Sequence, residues 1–465
     1  MWKYEELFSQ LKRALKCIEE QDLNRAESLL MEIEKADEDC EKFRELIGEK
    51  YLLLAMVRSL EPDKAIVLLQ EARKRIQGYS KVVPTGTAMV PDLYNPLFVF
   101  LKEPGKADEI GEKLEMMLDL YDDLCRDGYR CDLLYKAQLA FYRGQFREAQ
   151  SLLLKAEGSA KIHGRGLDQL CAAEYRGRLA IHTRTPLEWT QSFDFVCNMQ
   201  KSENRVLREA ALYTKCQMWM LVGLVSNVPE WIREGSFGVV GDRQSYRLIG
   251  DKVSYQAFPH GWKTHMRYLL YSGNFTRLIN VADLSDCFYG LSRTPLYASF
   301  IWLSKASAWK VLGDESLVKV FVKKAVEILA PDNLWVYAAE FIPVLEEDLI
   351  REIESYGRDV TEGYEKIARG YGAKLTTIRQ FMTDSVFREP LTEKEQTVAR
   401  LAALGFQSKK LAEYLSISPN TVKYHLSNIY KKLAIKNRVE LKNAMERYME
   451  KEYAFWTEMT QKGKE

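Results

Sequence analysis

Asn420, Tyr424, Ser427 and Lys431 recur at helical intervals within SISPNTVKYHLSNIYKKL, residues 416–433. At about 100° per residue they gather on one side of a helix, flanked by Lys423 and Asn428, while Val422, Leu426, Ile429 and Leu433 occupy the opposite arc. Amides, hydroxyls and ammonium groups in fixed register suit one kind of chemistry, hydrogen bonding to base edges and phosphates. An ordinary surface helix with lysines for solubility has the same outline, so the surrounding residues must decide. Ser418 is placed to cap free amides, and Pro419 falls at the first helical position, where its missing N–H costs nothing.

The elements around this helix are legible. FREP, ending at Pro390, biases the preceding Glu389 away from helix. Thr392, three residues before Glu395, forms a capping box that starts a helix at about residue 393. That helix ends at Gly405, SKKLAEYL makes a short second helix, SIS turns the chain, and the two-faced helix follows. Leu411, Ala412, Leu415, Ile417, Val422 and Leu426 are expected to form a small shared core, which makes the pair a helix-turn-helix. A fourth helix, capped by Asn437, turns Leu441, Ala444, Met445 and Tyr448 inward. Its opposite side displays Val439, Lys442, Asn443 and Glu446, an apolar spot with both charge signs that could pair with a second copy or be an ordinary solvated face.

The string from Leu391 to Leu441 resembles a LuxR-type (GerE-like) DNA-binding domain. The resemblance rests on the leading L-T-x-x-E, the glycine after the first helix, the I-S-x-x-T-V-K-x-H-x-x-x-I-x-x-K-L core, and the N-R that opens the last helix. Lys410 departs from the glutamate common there, and Pro419 occupies a variable position. The resemblance implies a recognition helix over 419–433 in the major groove, with Lys423, Tyr424 and Ser427 nearest base edges. It places Asn420, Thr421, Asn428 and Lys431 nearer phosphates, with Ser408, Lys409, Asn437 and Arg438 as further phosphate candidates. His425 matches a position that faces the interior.

Residues 1–350 show helical periodicity punctuated by Gly and Pro, and few strand signals. In CDLLYKAQLAFYRGQFREAQSLLLKAEGSA, residues 131–160, Ala137, Gly144, Phe146, Ala149, Leu153 and Ala156 have the spacing of two antiparallel helices that resemble a tetratricopeptide repeat. Related units carry Ala26, Leu30 and Ile33; Ala65, Leu69 and Ala72; Gly273, Phe275, Leu278 and Ala282; and Ala306, Gly313, Val322 and Ala325. Equivalent positions 26, 65, 149, 278 and 318 are separated by multiples of about forty residues. Weaker units lie near Leu187 and Trp231, and residues 233–256 read as a long loop.

The expected fold class is all-α, a tetratricopeptide-like superhelix followed by a four-helix LuxR-type domain. The expected divisions are a sensor domain over 1–350, a connecting segment over 351–383, a DNA-binding domain over 384–449 and a charged tail over 450–465. Such a stack binds rather than catalyses; Trp219, Trp231, Trp262 and Trp302 are core residues or line its surface. His163, His182, His260 and His265 form no triad or metal grouping in sequence, so neither an enzyme nor a metal site is expected.

Net charge supports this division of labour. The whole chain carries +1, but residues 391–465 hold 14 Lys plus Arg against 9 Asp plus Glu, leaving the rest slightly acidic. A basic C-terminal end suits nucleic acid there alone. The eight cysteines show no CxxC or zinc spacing and read as reduced thiols; with no signal segment or membrane span, the expected location is the bacterial cytoplasm. No phosphate-cradling loop occurs: EPGKAD lacks the first glycine and the Ser/Thr. The arrangement resembles the C-terminal portion of MalT-like regulators without their ATPase domain, and no cofactor is expected. The expected partners are double-stranded DNA, bound as a dimer, an effector at the repeats, and RNA polymerase as a candidate. The competing reading is an interaction scaffold whose DNA-binding module has no function.

Overall fold

The computed structural model describes residues 4–33, 41–235, 257–289, 294–383, 393–403, 406–415, 417–433, 435 and 437–441; among them every regular element is a helix. The helices run in the order α1 (Tyr4–Glu19), α2 (Leu23–Met31), α3 (Glu41–Val57), α4 (Pro62–Arg73), α5 (Pro96–Phe100), α6 (Ala107–Cys125), α7 (Cys131–Tyr142), α8 (Phe146–Ile162) and α9 (Gly166–Thr183). There follow α10 (Pro186–Met199), α11 (Arg205–Leu221), α12 (Glu230–Glu234), α13 (Ala257–Tyr271), α14 (Phe275–Tyr289), α15 (Pro295–Leu312) and α16 (Glu315–Leu329). Next come α17 (Trp335–Ala339), α18 (Ile342–Glu354), α19 (Arg358–Ala368) and α20 (Tyr371–Thr383), then α21 (Glu393–Ala403), α22 (Ser408–Tyr414) and α23 (Pro419–Leu433). They gather into two compact units: one takes residues up to 141 and 147–172, the other residues 142–146 and the helices after residue 173.

Helical hairpins form where glycine ends one helix and a short polar residue starts the next. Between α15 and α16, Gly313 takes φ +82°, its N–H bonds the Lys310 carbonyl, and the Asp314 N–H reaches Trp309 O at 3.1 Å. The Asp314 carboxylate then accepts from the Ser316 and Leu317 amides at 3.1 and 3.0 Å. One two-residue turn thus satisfies the end of one helix and the start of its neighbour. Gly144 and Gly273, both at φ +74°, hold the corresponding turns before α8 and α14. At Gly144 the conformation coincides with crowding, since a Cβ there would meet Ile367 Cγ1 at 2.5 Å.

The small and apolar residues that define the hairpin spacing are buried: Ala26, Leu30, Ile33, Ala65, Leu69, Ala72, Ala137, Ala149, Leu153, Ala156, Leu278, Ala282, Ala306, Val318, Val322 and Ala325. Phe146 and Phe275 are half-buried. Of the four tryptophans, Trp219, Trp231 and Trp262 pack on a core of Tyr213, Cys216, Met220, Val228 and Ile232, and the Lys324 ammonium sits over the half-buried Trp302. The expected division at residue 350 falls inside α18. Of the expected loop at 233–256, Arg233 and Glu234 belong to α12 and the part from 236 on lies outside the described residues.

Histidines and cysteines serve the interior. His163 bridges the Ser159 and Asp127 carbonyls at 2.8 Å each, His265 meets the Ile232 carbonyl at 2.6 Å, and His182 stacks on Phe146. The His260 side chain lies outside the described residues. Cys17, Cys125, Cys131, Cys171 and Cys216 are buried free thiols and Cys197 is half-buried; burial pushes Cys125 and Cys216 up to about 12. Cys40 and Cys287 are not among the described side chains. Among the described residues no helix is long and apolar enough to cross a membrane.

The second unit encloses an ionic network. Arg178 donates to Glu340 Oε1 at 2.7 Å and to the Tyr142 hydroxyl at 2.8 Å, and Arg267 donates to Glu340 Oε2. Burial alone would raise the Glu340 carboxyl, but the two guanidinium groups hold it down at about 2. Nearby, Lys263 reaches the Tyr337 hydroxyl at 3.3 Å, and burial pulls its ammonium down to about 7. Removing Glu340 would strip both buried guanidinium groups of this carboxylate, so the network ties α9 and α13 to the end of α17.

Candidate nucleic-acid interface

Three helices build the C-terminal site around a core of their own. Val398, Ala399 and Ala402 of α21, Leu411 and Ala412 of α22, Val422, Leu426 and Ile429 of α23, and Leu441 are buried together; Leu415, Ile417 and Ile435 pack at the margin. Ala412 is 5% exposed and has no side chain beyond Cβ, so α22 and α23 approach closely there. The turn between them is fixed by backbone bonds: Leu415 N donates to Leu411 O and Ile417 N to Ala412 O, both at 3.0 Å.

The start of α23 follows from SPNT. The Ser418 hydroxyl accepts from the Thr421 amide at 3.1 Å and lies 2.8 Å from the Thr421 hydroxyl. Ser418 O receives the Val422 amide at 3.1 Å, and Pro419 occupies the first turn. Capping sets the rotation of the helix, and rotation decides which side chains face out.

The outward residues are those of the polar register. Asn420, Lys423, Tyr424, Ser427 and Lys431 are exposed, Tyr424 at 65%, while Thr421 and Asn428 at the edges of this face are half-buried. On the preceding helix Ser408 is half-buried and Lys409 and Lys410 are exposed. All of these belong to one compact module. His425, expected to face the interior, is instead half-buried with its ring edge-on to Tyr424 at 6.0 Å, because it sits between the buried and polar arcs.

After α23 the Asn437 side chain accepts from the Glu440 amide at 2.9 Å and donates to the Glu440 carboxylate at 2.8 Å, a reciprocal cap on residues 438–441. Arg438 is half-buried and donates to the Phe406 carbonyl, which ties this cap to the loop before α22. Val439 is 69% exposed; Lys442, Asn443 and Glu446 of the expected pairing patch, and Ala444, Met445 and Tyr448 of the expected inner face, lie outside the described residues.

One pair in the module is not anticipated by the sequence reading. Lys432 on α23 donates to Glu395 Oε2 on α21 at 2.8 Å, with side chains 20% and 5% exposed. Glu395 was expected to close a capping box with Thr392, which is outside the described residues. The signal was present, since Glu395 precedes Val398, Ala399 and Ala402 by three, four and seven residues and therefore shares their buried arc. A carboxylate on such an arc requires a cation.

Residues 389–444 match the family described as bacterial regulatory proteins, luxR family. Transcriptional regulatory protein UhpA of Salmonella typhimurium is 41% identical over 58 residues, 12% of this chain and 30% of that protein. Transcriptional regulatory protein DesR of Bacillus subtilis is 45% identical over 51 residues, 11% of this chain and 26% of that protein. The CsgBAC operon transcriptional regulatory protein of Escherichia coli is 42% identical over 50 residues, 11% of this chain and 23% of that protein. The chain thus spans less than a third of the length of these relatives. The match and the geometry of α21 to α23 agree: residues 389–444 carry a luxR-family domain whose helix-turn-helix is made by α22 and α23.

Proposed function

We propose that this chain is a sequence-specific transcriptional regulator that inserts α23 into the major groove of operator DNA. The observation that carries the reading is the split of α23 into two faces: Val422, Leu426 and Ile429 are spent on the core, while Asn420, Lys423, Tyr424, Ser427 and Lys431 stay in solvent. Lys423, Tyr424 and Ser427 read base edges; Asn420, Thr421, Asn428 and Lys431 position the helix on the backbone, with Ser408, Lys409, Asn437 and Arg438 beside them. The relatives' names support the same reading.

A single such module covers only about 600–1,000 Å² of its own surface on DNA, so two copies on half-sites about 34 Å apart provide the affinity of an operator. In this reading the copies meet through the side of the last helix that carries Val439, Lys442, Asn443 and Glu446, and the exposure of Val439 supports it. The tetratricopeptide-like hairpins ahead of the module bind an effector and set its DNA affinity; RNA polymerase is the partner through which promoter-bound protein acts.

The test is selection of bound fragments from genomic DNA by the full-length chain, followed by titration of the enriched site at several salt concentrations. Lys409, Lys431 and Arg438 from two copies neutralise about six phosphates, which gives a slope of log affinity against log salt near −5. Uniform affinity for every fragment would refute sequence-specific regulation and favour an interaction scaffold.

A further inference from the structure

Tyr424 stands near the middle of the polar face of α23. At about 100° per residue, Asn420, Ser427 and Lys431 lie within about 60° of it on one side, and Thr421 and Asn428 within about 60° on the other. These neighbours carry amides, hydroxyls and an ammonium group, and α23 contains no Asp or Glu. Tyr424 offers the one large apolar surface on this face. It is 65% exposed, whereas Tyr430 of the same helix packs against the core of the module. A ring left in water on a polar face forgoes the stabilisation that a ring ordinarily gains from burial.

The ring is also held from one side. Its aromatic neighbour among the described residues is His425, with centroids 6.0 Å apart and planes at 62°. His425 is half-buried and borders the arc of Val422, Leu426 and Ile429, which are buried, so packing limits where the imidazole can go. It closes one flank of Tyr424, whose side chain has only two rotatable bonds, and leaves a stiff apolar edge pointing outward. In the major groove the base pairs present hydrogen-bond donors and acceptors, and the one apolar group among them is the 5-methyl of thymine. Asn420, Lys423, Ser427 and Lys431 can engage the polar pattern or the phosphates; none of them complements a methyl group as an aromatic ring does.

We infer that Tyr424, positioned by His425, reads a thymine through its 5-methyl group, so that each half-site holds a T·A pair recognised by apolar contact rather than by hydrogen bonding. The inference rests on the regulator reading above. Successive residues rise about 1.5 Å along a helix and base pairs about 3.4 Å along the duplex, so this thymine belongs to the base pair beside the one that Lys423 meets. At the ordinary worth of one buried methylene, removing the methyl weakens binding about fourfold per half-site, and about fifteenfold where two copies bind.

The experiment uses the full-length chain and the duplex enriched from genomic DNA, in which each thymine in turn is replaced by deoxyuridine. That exchange deletes one methyl and keeps the base pairing and every polar group. One thymine per half-site is expected to show the fourfold loss. In Tyr424→Ala, thymine and uracil at that position should bind equally, with the salt slope unchanged because no charge is lost; Tyr424→Phe should keep the parental preference. His425→Ala should reduce the preference below twofold while thermal melting matches the parent, and His425→Phe, which restores a ring on the same flank, should recover it. An operator in which every thymine tolerates uracil, or a preference that survives Tyr424→Ala, overturns the methyl contact and leaves the regulator reading standing. Loss of affinity in Tyr424→Phe that is equal for thymine and uracil also overturns it and assigns the phenol hydroxyl to a hydrogen bond. A parental preference in folded His425→Ala overturns the positioning role alone. Failure to enrich any sequence removes the regulator reading itself, and the inference with it.

Discussion

Lys432→Met separates two roles that a lysine on a recognition helix could have. Lys432 is directed at Glu395 of the first helix rather than at solvent. Breaking a buried ion pair by removing one partner costs about 3–5 kcal/mol, and an exposed pair contributes only about 0.2–1 kcal/mol. With a Glu395 side chain 5% exposed and a Lys432 side chain 20% exposed, the pair lies between these limits, and about 2 kcal/mol is expected. At about 1.4 kcal/mol per factor of ten, that lowers hydrogen-exchange protection of the slowest amides in α21 and α23 about thirtyfold in the full-length chain. The salt slope of operator binding should stay at its parental value, because no phosphate contact is lost. A second substitution, Glu395→Met, should restore much of the protection in the double variant, since an apolar pair can replace a buried ionic one. Parental exchange in Lys432→Met together with a slope reduced by about one unit would refute the reasoning and place Lys432 on the DNA backbone.

Four further outcomes are expected. Lys423→Ala should weaken operator binding by about 1–3 kcal/mol and relax preference at one base if the ammonium reads a base edge, with the melting profile unchanged; a change in salt slope alone would reassign it to a phosphate. Val439→Glu should lower the cooperativity of binding to paired half-sites and leave single half-site affinity intact, as measured by titration of both fragments. Gly144→Ala should cost more than Gly313→Ala in chemical denaturation: both lose a left-handed turn, worth about 1–2 kcal/mol, but only the first adds a Cβ against Ile367, while Gly313 faces open space. Burial pulls His182 down to about 3 and His265 to about 4. The unfolded chain therefore binds these protons first, so stability is full above about pH 6.5 and falls by about 1.4 kcal/mol per pH unit for each imidazole as pH drops toward 4. His182→Phe should flatten that fall in melts taken across the window.

Much of the module could be read from sequence because its determinants are local. Ser418, Pro419, Asn437 and the apolar arc of α23 act within a few residues of themselves, and α23 has the expected bounds. The hairpin glycines were legible for the same reason, since a left-handed turn names its own residue. What escaped the sequence joins distant positions. The Glu395–Lys432 pair spans 37 residues and the Arg178–Glu340 bond spans 162. His425 was misplaced because it lies on the border between two arcs, where a few degrees of helix rotation decide burial.

The division of α23 into a packed arc and a solvent arc also bears on how such a protein changes its targets. Side chains at 420, 423, 424, 427 and 431 contribute little to the core, so substitutions there are nearly free of folding consequences and alter only what the helix meets outside. The residues that aim the helix, Val422, Ile429, Lys432 and the Ser418 cap, tolerate no such drift. If α23 reads an operator as proposed, a duplicated gene could acquire a new one through a handful of surface changes while inheriting the docking angle unaltered, and its descendants would differ in what they bind long before they differ in shape.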